Sequence, residues 1–250
     1  MQPARYTFLP TCVLFACFTL GQAVYAAAPA LSADAMLDRV LAQLPRSRVL
    51  ANGTMFVRQR RGVPLQTYRF SLDANWTPKQ TSVCYVMQNE NGVPLESLTF
   101  APGTTDAFQY RSGENLTPAP LPDLAANIAK TDLSWLDLSL YFLWWRGARF
   151  VGEETVRSLH CRIIEVDAPP DAPPGSYSRV RLWISTEQGL MLQAEGFRAD
   201  GTPVRRLWVQ SVRQINEQWM ISTLEVQQTN RNSRTRLQIV DAKTEQENSP

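Results

Sequence analysis

Histidine and cysteine are scarce in this chain, and neither sign of charge dominates. Among 250 residues there is one histidine, His160, and there are four cysteines. No Cys-x-x-Cys, His-x-x-His or His-Glu-x-x-His spacing occurs, which excludes the usual zinc patterns. The 25 basic residues nearly balance the 23 acidic ones. Since no basic block occurs either, the composition argues against nucleic acid or an anionic membrane surface as a partner.

Candidate catalytic groups are equally few. His160 and Cys161 are neighbours in a predicted strand, where adjacent side chains point to opposite faces and cannot form a dyad. The same alternation separates Glu153 from Glu154, so these carboxylates do not form an acid–base pair. No glycine-rich phosphate loop is present. We therefore expect a protein that is not an enzyme and that needs no metal or other cofactor.

The first 28 residues are organised like a cleaved secretion signal. Arg5 precedes an apolar stretch, Tyr6 to Val24, and the small residues Ala26-Ala27-Ala28 follow, which is typical of a signal-peptidase site. Cleavage after Ala26 and cleavage after Ala28 fit equally well. The alternative is a lipid anchor at Cys17, but apolar sequence continues past this cysteine. We expect the cleaved form.

The remaining chain has the size of one all-β domain. Cleavage removes 28 of 250 residues and one of the 25 basic residues, Arg5, which leaves 222 residues and a net charge of +1. This length fits a single β domain. We predict a domain over residues 29–241 and a polar C-terminal tail over 242–250. Two cysteines remain, Cys84 and Cys161, which form either a disulfide or two buried thiols.

Periodicity predicts one helix followed by many strands. Ser32 is a suitable N-cap, and apolar residues then recur at helical spacing from Met36 until Pro45. Beyond it the period is two, and turn residues such as Asn91-Gly92 and Asp200-Gly201 separate the strands. Short connections favour antiparallel pairing of neighbours. The predicted strands are 48–60, 65–72, 80–90, 94–101, 105–111, 148–157, 159–167, 177–185, 190–199, 203–213, 217–229 and 234–241.

Several predicted strands are apolar on both faces. Val180, Leu182 and Ile184 line one face of strand 177–185, while Trp183 lies among arginines on the other. A simple sandwich would leave one face of each sheet plainly polar. We therefore predict a mainly β fold, in which a single antiparallel curved sheet wraps an apolar cavity and is closed by a few α-helices.

The stretch Thr131–Trp145 is the most unusual segment. It contains three of the seven tryptophans and two acidic residues, Asp132 and Asp137. So much aromatic surface indicates either part of the core or a movable cover over an apolar space. Asp132 is placed to cap a short helix. Asp137 is predicted to pair with an arginine of a neighbouring strand.

Part of this stretch resembles a known family signature. Thr131-Asp132-Leu133-Ser134-Trp135-Leu136-Asp137-Leu138 is similar to the T-D-[FL]-S-[YW]-x-D-[LI] pattern of bacterial outer-membrane lipoprotein-sorting proteins of the LolA-like superfamily. The similarity continues in order and spacing over roughly residues 35–241. Its further segments are Cys161–Val166, Tyr177–Ile184, Gly196–Leu207, Trp219 and Thr235–Leu237. The resemblance implies an incomplete LolA/LolB-like barrel, closed by helices around a cavity for acyl chains.

From this resemblance we expect a periplasmic carrier or chaperone that binds acyl chains of lipoproteins or lipids for outer-membrane sorting. An inner-membrane transporter and an outer-membrane receptor are its candidate partners. The alternative is a lipid- or envelope-stress-sensing interaction module of the same fold. The signature carries over no single contact residue, so binding residues are assigned by type and face. The predicted cover is Trp135, Leu138, Tyr141, Phe142 and Trp145, and the predicted cavity wall is Trp183, Trp208 and Trp219.

Overall fold

The computed structural model describes residues 31–59, 61–77, 80–104, 106–215 and 218–245. The predicted secretion signal, both of its cleavage positions and the alternative anchor at Cys17 lie outside these ranges. Within them, no helix combines the length and the apolar character that a membrane-spanning helix requires.

The described chain begins with the predicted helix, α1, which spans Ala33–Ala42. Ser32 caps it as expected, since its hydroxyl accepts a hydrogen bond from the backbone N–H of Ala35 at 3.1 Å. On another side of the helix, Arg39 donates to the carbonyl of Thr186 at 2.7 Å. The helix is therefore held by this arginine and by an apolar face. Its buried residues are Ala33, Met36, Leu37 and Val40.

Thirteen described strands form one sheet. They are β1 (Arg48–Gln59), β2 (Pro64–Thr77), β3 (Gln80–Gln88), β4 (Pro94–Phe100), β5 (Phe108–Ser112), β6 (Thr117–Pro118), β7 (Arg149–Val156), β8 (Leu159–Asp167), β9 (Arg179–Ser185), β10 (Met191–Phe197), β11 (Pro203–Ile215), β12 (Gln218–Gln228) and β13 (Ser233–Glu245). Their order in the sheet is β6-β5-β4-β3-β2-β1-β13-β12-β11-β10-β9-β8-β7. All neighbours are antiparallel. Two meanders thus join where β1 pairs with β13, and the predicted open antiparallel sheet is confirmed.

Every strand predicted from the sequence is present, although the strand ends differ. Near the C-terminus of the chain, β13 continues to Glu245 instead of ending at residue 241. Residues 242–245, predicted to begin a polar tail, pair with Arg48–Ala51 of β1. The turn signals are confirmed where they matter most: Gly92 and Gly201 have φ of +84° and +81°, a region that favours glycine.

The connection between β6 and β7 packs on the inner face of the sheet. It contains the short helix α2 (Trp135–Ser139) and a 3₁₀ helix (Tyr141–Trp144). Ser134 and Asp137 form a capping box at the start of α2, in which each side chain accepts a hydrogen bond from the other residue's backbone N–H. Together with α1 and the inner residues of the strands, these helices form the main apolar core.

The outer face of the sheet carries a second, smaller apolar cluster. It consists of Cys161, Trp183 and Leu192, whereas Val180 belongs to the main core. The two apolar faces of β9 therefore belong to clusters on opposite sides of the sheet and are not two walls of one cavity. Cys161 and Cys84 are free thiols, and burial raises the pKa of the Cys161 thiol.

Buried glutamates on the outer face pair with arginines of neighbouring strands. Glu225 of β12 is 4% exposed and accepts hydrogen bonds from Arg234 and Arg236 of β13 at 3.1 Å each, and from Arg58 of β1 at 3.2 Å. Burial alone would raise the pKa of the Glu225 carboxyl, but the hydrogen bonds and charges of these arginines lower it overall. Folding thus favours the ionised carboxylate, which links three strands.

Replacing this carboxylate tests its contribution to stability. Glu225→Gln is expected to lower the free energy of unfolding at neutral pH by about 2 kcal/mol, the scale of hydrogen bonds to a charged group. Because folding lowers the pKa of Glu225 from 4.5, its contribution is present above that value and is lost as pH falls through the lowered pKa. In urea unfolding, the difference between wild type and variant should shrink in acid. A difference independent of pH would contradict this role.

Candidate functional site

Asp137 fixes α2 to the sheet from inside the core. It is 3% exposed, and one carboxylate oxygen accepts from the backbone N–H and the hydroxyl of Ser134 at 2.9 and 2.6 Å. The other oxygen accepts from the Tyr177 hydroxyl at 2.8 Å. Arg205 Nη1 lies 3.3 Å from the carboxylate. The predicted pairing of Asp137 with an arginine of a strand is therefore confirmed.

Arg205 reaches this carboxylate from β11 and is 1% exposed. Its Nη1 donates to the Ala125 carbonyl and to the Tyr177 hydroxyl at 3.0 Å each, and its Nη2 donates to Asn127 Oδ1 at 2.6 Å. Burial opposes the charge of Arg205, but Asp137 raises its pKa overall. Burial also raises the pKa of Tyr177. The network therefore holds a charged guanidinium beside a neutral phenol.

Asp132 anchors the other end of the segment. Its carboxylate accepts from the hydroxyls of Ser233 and Thr235 at 2.8 and 3.0 Å, and its backbone N–H donates to Thr235 Oγ1 at 2.7 Å. The prediction that Asp132 caps the short helix is wrong, because Ser134 takes the N-cap position. The segment is thus fixed to β13 by Asp132 and to β11 by Asp137.

The five predicted cover residues lie on the inner side of the sheet but on two different helices. Trp135 and Leu138 belong to α2, whereas Tyr141 and Phe142 belong to the 3₁₀ helix, which Trp145 ends. All five lie in the main core or pack against it, and Trp135 and Trp145 are each 2% exposed. In this structure the segment is therefore part of the core.

Aromatic contacts hold the 3₁₀ helix in place. The ring of Tyr141 lies 5.4 Å from that of Phe100 and 5.2 Å from that of Phe108, both edge to face. Just beyond the helix, Arg146 pairs with Asp38 of α1 at 2.9 Å, with both side chains more than half exposed. Edge-to-face contacts contribute about 0.5–1.5 kcal/mol each. α2 also carries the buried ion pair between Asp137 and Arg205, and breaking such a pair costs about 3–5 kcal/mol. We infer that α2 is the more firmly held of the two helices.

Leu140 marks the boundary between these helices. Its φ of 51° and ψ of 29° lie in the left-handed region, which costs a non-glycine residue roughly 1–2 kcal/mol. At the far end of the 3₁₀ helix, the indole N–H of Trp145 is buried without a hydrogen-bond partner among the described residues. Residues 140–145 therefore contain one unfavourable backbone conformation and one buried donor without a partner, whereas α2 carries the capping box and the ion pair of Asp137.

Apolar space remains on both sides of Leu140. An outer cavity of about 110 Å³ lies under α1 and the 3₁₀ helix. A surface groove of about 330 Å³ shares four of its lining residues, Gln43, Leu190, Val212 and Trp219, and forms its mouth. An inner cavity of about 50 Å³ lies beside α2. Because ligand pockets usually measure about 300–1,000 Å³, neither cavity can take a whole acyl chain unless the cover shifts.

The three predicted wall tryptophans are divided between the faces of the sheet. Trp219 is 45% exposed and lines the mouth of the outer cavity. Trp183 belongs to the outer-face cluster, where its indole N–H donates to Glu154 at 2.7 Å. Trp208 lies on the outer face with the Arg206 guanidinium 5.9 Å from its ring. The assignment of Trp183 and Trp208 to the cavity wall is thus corrected, because their strand neighbours take the inner positions.

Three residues that line both cavities, Tyr85, Leu140 and Ile221, are missing from the predicted set. On β3, Tyr85 lies two residues from both Val83 and Met87, so the three side chains share one face of the strand. Val83 and Met87 are buried in the main core. This period-two pattern is the signal that could have placed Tyr85 on the inner face. Burial raises the pKa of its hydroxyl.

The candidate catalytic residues His160 and Cys161 do not lie together. His160 is half exposed beside Glu153, with 3.4 Å between its Nε2 and the carboxylate, while Cys161 is fully buried on the opposite face. In the described part of the chain, no three His, Cys, Asp or Glu side chains are grouped to hold a metal ion.

An open antiparallel sheet with short helices on its inner face defines a LolA-like fold, and solved structures agree. A DUF1329 family protein from Desulfovibrio piger has a TM-score of 0.70 at 16% identity, covering 86% of this chain and 93% of that one. A domain from Vibrio parahaemolyticus assigned to outer-membrane lipoprotein sorting has 0.69 at 13%, covering 85% and 93%. A LolA superfamily protein from Nitrosomonas europaea has 0.62 at 13%, covering 87% and 95%. At such identities the likeness concerns the fold.

A narrower family is defined by sequence. The profile of a family described as "Uncharacterized protein" matches residues 121–249. This is more than half of the chain, so the chain belongs to that family. The match begins ten residues before the stretch Thr131–Trp145 and runs through β13. None of the curated protein sequences compared with the chain matches it.

The buried anchor can be tested by a matched pair of substitutions. Arg205→Met should lower the free energy of unfolding by about 3–5 kcal/mol, because it leaves the Asp137 carboxylate buried without its cation. Arg48→Met removes the exposed pairs of Arg48 with Asp73 and Glu245, in which the arginine side chain is 48% exposed, and should cost about 1 kcal/mol. Urea denaturation of both variants measures the difference. Similar losses in the two would refute the anchoring role.

Proposed function

We propose that the protein is a periplasmic, non-enzymatic carrier that shelters the acyl chains of lipoproteins or lipids between its sheet and the 3₁₀ helix. The observation that carries this proposal is the apolar outer cavity, which opens to the surface at Trp219 and is covered by a weakly held aromatic segment. The predicted secretion signal and the likeness to a domain assigned to outer-membrane lipoprotein sorting support the location and the cargo.

The energetics of acyl transfer favour a cover that can move. Each buried methylene contributes about 0.8 kcal/mol, so a sixteen-carbon chain is held in a membrane by on the order of 10 kcal/mol. A carrier must offer comparable apolar cover or receive its cargo from an energised transporter. The present cavities are too small for such a chain. Displacing the 3₁₀ helix breaks aromatic contacts worth about 0.5–1.5 kcal/mol each and uncovers the buried side chains of Phe142 and Leu143. The acyl chain offsets this cost because it takes over their apolar contacts in the core.

From the positions of the anchoring side chains we infer which helix moves. α2 stays in place because Asp132 and Asp137 bind it to β13 and β11, and the 3₁₀ helix turns about Leu140. Asp34 of α1 accepts hydrogen bonds from the backbone N–H groups of Gly147 and Ala148 at 3.3 and 2.9 Å. Since these contacts link α1 to the chain just beyond the 3₁₀ helix, α1 follows when the cover opens.

A loaded carrier of this kind needs a donor and an acceptor. We infer that an inner-membrane transporter supplies the lipidated cargo and that an outer-membrane receptor accepts it. The 3₁₀ helix is held less firmly than α2, and this suits the role, because a cover that closes weakly allows release of the cargo as well as its uptake.

The proposal is tested by titrating delipidated protein with a fluorescent fatty acid. We expect saturable, stoichiometric binding, which Trp219→Ala weakens about tenfold, equivalent to ~1.4 kcal/mol, because this residue lines the mouth. Trp208→Ala is the matched control on the outer face and should leave the affinity unchanged. Absence of saturable binding by the wild type would refute the proposal, and equal losses in both variants would place the ligand elsewhere.

A further inference from the structure

The outer and inner cavities meet at three side chains. Tyr85, Leu140 and Ile221 line both spaces. Tyr85 lies on β3 and Ile221 on β12, within the continuous sheet. Leu140 instead belongs to the segment between α2 and the 3₁₀ helix. Of the three residues at the boundary, it is therefore the one that can be substituted without disturbing the sheet.

The backbone of Leu140 makes this residue the pivot of the 3₁₀ helix. Its left-handed φ of 51° is unusual for a residue other than glycine and separates the two helices. The residues before it are anchored by Asp137, while those after it are held by aromatic and other apolar contacts. When the 3₁₀ helix turns about this point, the Leu140 side chain stays between the cavities.

The lining changes from partly polar at the mouth to apolar in the outer cavity, and Asp137 adds a polar group at the inner cavity. Gln43, Gln188 and Trp219 lie in the groove at the mouth, where polar groups suit a headgroup or a carboxylate. The inner cavity is lined mainly by apolar side chains such as Leu138 and Ile239, and Asp137 also borders it. A buried, paired carboxylate is an unfavourable neighbour for further methylenes. The space thus fits an acyl chain whose methyl end points inward and whose polar end lies at the mouth.

From this arrangement we propose that Leu140 is the barrier between an outer and an inner acyl site and determines the length of chain that the protein accepts. This inference rests on the proposed function. Each methylene buried in the outer cavity raises the affinity about fourfold. Once the chain end meets Leu140, added carbons remain in the solvent-exposed groove and the gain stops.

The test is a series of saturated fatty acids, from octanoate to stearate, titrated against the full chain and its variants. The wild-type affinity should rise with chain length and then level off. Leu140→Ala and Leu140→Gly join the two cavities, so the affinity should level off at a longer chain than it does in wild type. The longest acids should bind these variants at least about tenfold more tightly than they bind wild type. Leu192→Ala is the control, since Leu192 belongs to the outer-face cluster and lines neither cavity, and it should leave unchanged the chain length at which the affinity levels off.

A second variant tests the barrier without altering Leu140. Ile239 lines the inner cavity only, so Ile239→Phe fills that space. In the wild-type background it should not change the levelling length, and in the Leu140→Ala background it should restore the wild-type length. If Ile239→Phe alone shortens the accepted chain, the inner site is already open and the barrier is disproved.

The outcomes separate this inference from the proposed function. If the wild type binds none of the acids, the carrier proposal itself fails. If the wild type binds them and levels off, but folded Leu140 variants level off at the same length, the barrier alone is overturned.

Discussion

The paired carboxylate of Asp137 is the interaction on which the rest of this structure depends. A charge removed from water costs several kcal/mol unless its oxygens are satisfied. Ser134, Tyr177 and Arg205 satisfy both oxygens, so the helical segment has one favourable position on the sheet. This position brings Trp135 and its neighbours against the inner face, and it determines where apolar space remains.

The sheet and its cover differ in how firmly they are held. On the outer face, arginines of adjacent strands clamp buried glutamates such as Glu225, which resists deformation of the sheet. On the inner face, the buried ion pair lies before Leu140. The 3₁₀ helix beyond it is held by apolar packing, by aromatic contacts and, at its far end, by the pairing of α1 residues Asp34 and Asp38 with the chain. A rigid trough with a weakly closed cover suits a protein that must both take up and release an apolar cargo.

The sequence predicts the strands well because period-two burial and turn glycines are local signals. The pairing of β1 with β13 joins residues almost 200 positions apart, as in Arg48 with Glu245, and no local signal specifies it. The Asp137 ion pair is predictable because a buried carboxylate needs a cation. Asp132 is misjudged because it and Ser134, two residues apart, are both good N-caps, and only the approach of β13 decides between them.

The cavity itself is the least predictable feature. Trp183 and Trp208 draw attention by residue type, yet the face on which a side chain lies depends on register, and bulges near Val209 and Ser211 shift the register of β11 against β12. Leu140 carries no signal in the sequence, since its importance lies in a left-handed backbone conformation. The cavity lining is a product of packing between distant elements, which a single sequence does not reveal.

The central claim is that an acyl chain enters between the sheet and the 3₁₀ helix while α2 stays in place. Nuclear Overhauser contacts between isotope-labelled palmitate and the assigned protein measure this directly. The account predicts contacts from the chain methylenes to Tyr85, Leu143 and Met220, with shifted resonances for Tyr141 and Phe142 and unchanged ones for Trp135. Contacts confined to the outer face around Trp183 and Trp208, with the 3₁₀ helix undisturbed, would contradict it.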